Sequence, residues 1–279
     1  MQQVFRIPAG TGYVAGAGPS NAGLKHLAVD VLRLQAGESW SGSSGSEEIV
    51  LVTLSGRCTV RIEGPHAIEW TGVGGRANVF VGLPAAVYVP RCTGYGVIAD
   101  TAIELALFRA PCKADLTPVL VRPQEVTVAS VGAANWRRDV RLIFGPGAGK
   151  TSRLIVGETL NPPGNWSGFP PHKHDQHKSD EFPLEEVYLF KALPSDGYGV
   201  QLIYGGTEGD TAHLVGDNDA AVFRAGYHPT VSSPGVQLCY TWALAGDDRV
   251  YQVYVDPRYR WLTAAEAILR EGSKYWDAR

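Results

Sequence analysis

Short apolar runs rich in β-branched residues recur from one end of the chain to the other, with turn residues between them. Segments 49–54, 58–62, 78–81, 86–89, 97–98 and 103–108 read as strands in the first half. Segments 141–144, 154–156, 187–190, 200–204, 221–223, 236–242 and 250–255 continue the series in the second. Ser55-Gly56, Glu63-Gly64 and Gly205-Gly206 carry turn chemistry at the breaks. Many short strands separated in this way predict a sandwich or barrel. One helical pattern remains, near the C-terminus. Thr263 reads as its N-cap, Glu266 as the other half of a Thr-x-x-Glu capping box, and Gly272 as its stop. The pattern predicts an all-β protein with a short C-terminal helix.

The two halves echo one another. Glu48-Ile-Val-Leu-Val parallels Glu186-Val-Tyr-Leu-Phe, and Ala86-Val-Tyr-Val parallels Ala221-Val-Phe-Arg. Between them lies a stretch punctuated by Pro111, Pro118 and Pro123. Two similar β-barrels are expected, one over residues 1–122 and the other over 123–279. The first has Ser41-Gly-Ser-Ser-Gly-Ser46 ahead of Glu48, with no imidazole, so it is expected to be a structural partner without a metal site.

Composition narrows the function classes. At 279 residues with 44% hydrophobic and 19% charged positions, the chain can bury cores without staples. A formal net charge of -3 gives no electrostatic reason to expect nucleic acid or an anionic membrane as partner. No apolar run is long enough to cross a bilayer, and the first residues do not read as a secretory signal. Cys58, Cys92, Cys112 and Cys239 are scattered, as expected of buried thiols in the reducing cytoplasm.

The chemistry concentrates in Phe169-Pro-Pro-His-Lys-His-Asp175. Residues two apart in a strand point to one face, so His172 and His174 would project together. Two imidazoles so placed suit Zn, Fe, Ni or Mn. Glu186 opens a following strand and can add a carboxylate, and His228, in Gly226-Tyr-His-Pro229, can close the site. Three imidazoles and a carboxylate leave positions open, as in a catalytic metal site. Lys173 should alternate away, Glu185 should face opposite to Glu186, and His177 belongs to the intervening loop.

His-x-His, then Glu, then a later His on an all-β scaffold resembles the metal-site pattern of the cupin superfamily. Gly164-Asn-Trp-Ser, His172-Lys-His-Asp175, Glu185-Glu-Val-Tyr188, Gly226-Tyr-His-Pro229 and Asp256-Pro-Arg-Tyr-Arg-Trp261 resemble, more narrowly, the 5-deoxy-glucuronate isomerase family. That resemblance implies a bicupin of two double-stranded β-helix (jelly-roll) barrels. It also implies the ligand set His172, His174, Glu186 and His228 for a divalent metal, with zinc the first expectation. The implied reaction converts 5-deoxy-D-glucuronate to 5-dehydro-2-deoxy-D-gluconate in myo-inositol catabolism. A general acid or base is then needed, and Tyr227 and Tyr240 are the candidates. A cation for the uronate carboxylate is needed too, with Arg224 and Arg249 as candidates. Homo-oligomerisation is open to such a protein. Two competing readings are an Fe(II) cupin dioxygenase and a non-catalytic sugar-binding cupin.

Overall fold

A computed structural model of the chain describes residues 1–147 and 149–277. Strands dominate, and each half is a barrel built on one large antiparallel sheet. In the second half the sheet runs Val4–Arg6, Asp219–Phe223, Glu185–Leu193, Gln237–Ala245, Ile155–Asn161, Arg138–Phe144, Thr127–Val131. A smaller sheet faces it, in the order Trp166–Ser167, Thr230–Ser232, Tyr198–Ile203, Thr211–Gly216. In the first half the corresponding order is Val119–Val121, Ala86–Val89, Glu47–Ile62, Ile103–Pro111, Ala28–Leu34, Gly12–Ala17. This is the expected all-β bicupin architecture. Among the described residues no helix is long and apolar enough to cross a membrane.

Period-two alternation sorts side chains between two environments. On Glu185–Leu193, Tyr188 and Phe190 enter the interior of the second barrel, while Val187 and Leu189 join a core shared with the first. On Glu47–Ile62, Ile49 and Leu51 fill the first barrel and Val50 and Val52 join the shared core. The two large sheets therefore pack back to back. Each fully buried Val or Leu there contributes about 1.5–3 kcal/mol.

The shared core also holds charge. Glu158 is fully buried and accepts from both terminal nitrogens of Arg76, at 2.8 Å each, and from Arg141 at 2.6 Å. Arg76 comes from the first half and its two partners from the second, so the triad crosses the seam.

One leading strand crosses between the halves. Val4–Arg6 pairs with Asp219–Phe223 in the second sheet, and Val119–Val121 pairs with Ala86–Val89 in the first. Residues 4–6 thus lie in the sheet of the half expected to begin at residue 123.

Some expected elements differ. Segments 49–54 and 58–62 form one strand, Glu47–Ile62, because Gly56 (φ 76°) and a register shift bend it from one sheet into the next instead of ending it. Residues 78–81 are a turn, not a strand, with the Asn78 side chain accepting from Phe80 N at 2.9 Å. The helix spans Arg260–Asp277 and starts earlier than Thr263. It follows a short 3-10 turn whose cap is Asp256, which accepts from Arg258 N at 3.0 Å. Glu266 instead accepts from Gly132 N at 2.8 Å, and Gly272 lies inside the helix. Cys92 is exposed, unlike the other three cysteines, and all four are unpaired.

Candidate metal centre

His172 lies on the short strand His172–Lys173, which pairs with Tyr254–Val255 near the end of the chain. Alternation turns Lys173 the other way, where its ammonium meets the buried carboxylate of Glu181 at 2.8 Å and that of Asp175. His228 follows a turn at Gly226, whose φ of 92° and approach to Tyr204 O leave no room for a side chain: a Cβ would stand 2.8 Å from that oxygen. Asp175 accepts from Gly226 N at 2.7 Å and so ties the His-x-His segment to the His228 turn.

These elements bring His172, His174 and His228 together, with one ring nitrogen of each within 4.8 Å of the others. Glu186 enters from Glu185–Leu193, its Oε2 3.0 Å from Nε2 of both His174 and His228. Among the described residues there is no second such cluster. The opposite nitrogens are already committed. Nδ1 of His174 donates to Leu184 O at 2.7 Å, and Nδ1 of His228 donates to Gly226 O at 2.9 Å. A carbonyl accepts only, so each neutral ring carries its proton on Nδ1 and presents a bare Nε2. Nε2 of His228 is buried and has no hydrogen-bond partner despite its nearness to Glu186. Lone pairs facing a carboxylate oxygen repel unless a cation sits among them. The set could hold a divalent metal ion, with the two backbone carbonyls orienting its ligands.

Without a cation, protons bear that load. Burial pushes Glu186 up, but contacts from His174 and His228 outweigh it and bring its pKa to about 2. For His174, burial favours the neutral ring and is overcome by Glu186, so its pKa is raised. His172 goes the other way, to about 3, through burial and the neighbouring imidazoles.

His172 and Glu186 form part of the wall of a cavity of about 90 Å³, shared with Arg138, Tyr188, Tyr240 and Tyr251. Tyr240 hydrogen-bonds Ser167 through its hydroxyl and stacks on Tyr188 at 4.3 Å. Burial raises its pKa, which keeps the phenol protonated. Of the two expected tyrosines, only Tyr240 reaches the cavity. Tyr227 alternates away from His228 and stacks on Tyr204 at 5.1 Å.

Neither expected arginine lies at this cavity. Arg224 is engaged by Glu208 at 2.9 and 2.6 Å and by Ala22 O at 2.5 Å. Arg249 donates to the carbonyls of Gly145, Pro146 and Leu154. Both guanidiniums tie segments of the chain together and have little left for a ligand. The cation at the cavity is Arg138, where burial lowers the pKa. Its signal in the sequence was Arg138-Asp-Val140 opening a strand, two residues apart and hence on one face, but Arg137 beside it is indistinguishable by composition.

The internal echo is displaced by one residue. Glu185, not Glu186, is the counterpart of Glu48: they stand across from Ala245 and Ala110, both in the shared core. Glu186 therefore corresponds to Ile49, which packs in the interior of the first barrel. A carboxylate ligand is missing there as well as the imidazoles.

Comparison with known proteins agrees with this architecture. The chain is 33% identical over 267 residues to a 5-deoxy-glucuronate isomerase of Geobacillus thermodenitrificans, covering 95% of this chain and 96% of the relative. It is 28% identical over 263 residues to the protein of the same name from Bacillus subtilis strain 168, covering 93% and 96%. The crystal structure of an IolB-like protein from Salmonella typhimurium matches with a TM-score of 0.89 at 29% identity, over 94% of this chain and all (100%) of that one. An oxalate decarboxylase from Lactobacillus farciminis shares the fold, with a TM-score of 0.68 at 10% identity over 95% of this chain and 90% of that one. The KduI/IolB family profile matches residues 5–262, and the chain belongs to the KduI/IolB family.

Proposed function

We propose that the protein is a metal-dependent aldose–ketose isomerase that converts 5-deoxy-D-glucuronate to 5-dehydro-2-deoxy-D-gluconate in the cytoplasmic breakdown of inositol. The observation that carries this reading is the convergence of His172, His174, His228 and Glu186 beside a cavity whose wall includes His172 and Glu186, in a chain whose relatives bear the isomerase name. His172, His174, His228 and Glu186 are the proposed ligands, and zinc the proposed ion, since imidazoles with one carboxylate suit it. When bound, such an ion supplies a Lewis acid toward a carbonyl oxygen.

The remaining chemistry falls to side chains. Isomerisation takes a proton from the hydroxyl-bearing carbon and returns one to the aldehyde carbon, while the hydroxyl proton passes to the former aldehyde oxygen, with no net oxidation. Tyr240 stays protonated and fixed by Ser167, so it acts as a hydrogen-bond donor to the substrate oxygen and not as the base. Tyr188, Trp242 and Leu244 exclude water behind it. Tyr251, 46% exposed, stands at the cavity wall where it opens toward solvent.

The test is NMR of metal-replete protein with 5-deoxy-glucuronate in deuterated water, beside a chelated control. Conversion to the ketose acid that stops on chelation is expected, with deuterium in the product. Absence of conversion by protein with bound metal would overturn the proposal, and oxygen uptake would then be measured.

A further inference from the structure

Arg138 opens the strand Arg138–Phe144, and alternation places it with Val140 on the cavity side. One of its terminal nitrogens, Nη1, donates to Trp136 O at 3.1 Å and Phe169 O at 2.7 Å. Among the described residues no carboxylate pairs with this guanidinium, and Nε and Nη2 have no hydrogen-bond partner. Arg76 and Arg141 are spent on Glu158, Arg224 on Glu208, and Arg249 on three carbonyls. A cation held among Tyr188, Tyr240, Trp242 and Tyr251 with no carboxylate in direct contact costs stability, which Glu266 eases only from a distance. That cost is offset when a ligand brings the missing charge.

We propose that Arg138 is the anchor for the carboxylate of the substrate and makes this cavity selective for sugar acids over neutral sugars. The inference rests on the isomerase reading above. With the acid end on the Nε–Nη2 edge, the carbonyl end of a short acyclic uronate faces His172 and Glu186 in the same cavity. A planar guanidinium offers two parallel donors to a carboxylate, a geometry an ammonium cannot reproduce.

The experiment compares the metal-loaded wild type with Arg138→Gln and Arg138→Lys on two substrates. One is 5-deoxy-glucuronate. The other is 5-deoxy-glucose, which has the same reacting end with CH2OH in place of the carboxylate. Charge-assisted hydrogen bonds predict that Arg138→Gln loses on the order of 100-fold in kcat/KM for the acid, mostly through KM. The neutral sugar is expected to change by about twofold or less, and Lys to fall between. An equal loss on both substrates, at unchanged metal content and melting temperature, overturns the anchor and leaves Arg138 as a strut between the carbonyls of Trp136 and Phe169. Failure of the wild type on both substrates overturns the isomerase reading instead. The anchor is then judged by titrating glutarate into wild type and Arg138→Gln: binding lost in the variant supports it, and equal binding overturns it. Should Arg138→Gln not fold, Arg138→Lys carries the same two comparisons, with a smaller loss confined to the acid expected and an equal loss on both substrates overturning the anchor.

Discussion

Glu48 and Glu185 each clasp the backbone of the opposite half of the molecule. Glu48 accepts from Ser152 N at 2.7 Å, Arg153 N at 2.6 Å and Leu154 N at 2.8 Å. Glu185 accepts from Lys25 N at 2.6 Å and His26 N at 2.7 Å. Both sit at the same place on equivalent strands, so the pair follows from the duplicated architecture. The metal-site candidate Glu186 then has Ile49 as its counterpart, so the carboxylate stands in one half only. The clasp orients Glu185–Leu193 at the residue before Glu186, which links the joint between halves to the site.

Replacing Glu48 by Gln is expected to destabilise the fold. Glu48 is fully buried, and hydrogen bonds to a charged group are worth about 1.5–3 kcal/mol each, of which a Gln oxygen keeps part. A loss of about 2–4 kcal/mol in urea unfolding is expected. A change below about 0.5 kcal/mol would mean that the clasp is not a support.

The neighbouring glutamates are expected to separate cleanly in a metal assay. Glu186→Gln removes a ligand, and metal affinity falls by at least about 100-fold, since even outer groups cost 10–100-fold. Glu185→Gln keeps its metal and loses stability instead, because Glu185 faces the loop at Lys25 and His26. Metal content by mass spectrometry after dialysis decides it, and equal loss from both variants would contradict the assignment of faces.

Metal removal is expected to lower the melting temperature. At a free metal concentration about 1,000 times the dissociation constant, binding adds about 4 kcal/mol, or roughly 10 °C for a chain of this size. Calorimetry with and without a chelator measures the shift. An unchanged melting temperature would mean that no ion is held by the folded state.

The buried triad gives a prediction at the seam. Arg76→Met leaves the Glu158 charge short of a partner and is expected to cost about 3–5 kcal/mol. Replacing Arg76, Glu158 and Arg141 together by apolar residues of similar volume is expected to recover most of it. Denaturant titrations of the single and triple variants test both statements.

Tyr240→Phe removes one donor from the cavity without changing its shape. A fall of about 100-fold in kcat with little change in KM is expected. Tyr227→Phe, on the stack with Tyr204, is expected to leave both constants near wild type.

Much of this was legible from residues alone. The strand pattern, the turn at Gly226 and the His-x-His spacing are local, and local chemistry is what period and propensity report. The choice of arginine was not local: Arg224, Arg249 and Arg138 differ in how much of the guanidinium other segments have claimed, only Nη1 in Arg138 and several nitrogens in the other two. The one-residue slip in the internal echo has a similar cause. Paired glutamates in each half, Glu47-Glu48 and Glu185-Glu186, leave the register ambiguous until each is seen against its cross-strand neighbour.

The crossing of Val4–Arg6 into the second sheet bears on how that sheet assembles. Val4 finds its partner at Ala221, more than two hundred residues downstream, and Ala221 in turn lies beside Tyr188 on the strand that carries Glu186. Residues 4–6 must wait for more than two hundred following residues before they can pair, and contacts so distant in sequence form slowly. The presence of residue 221 thus becomes a condition for closing the sheet beside the site, and residues 4–6 serve as a late check on the segment between.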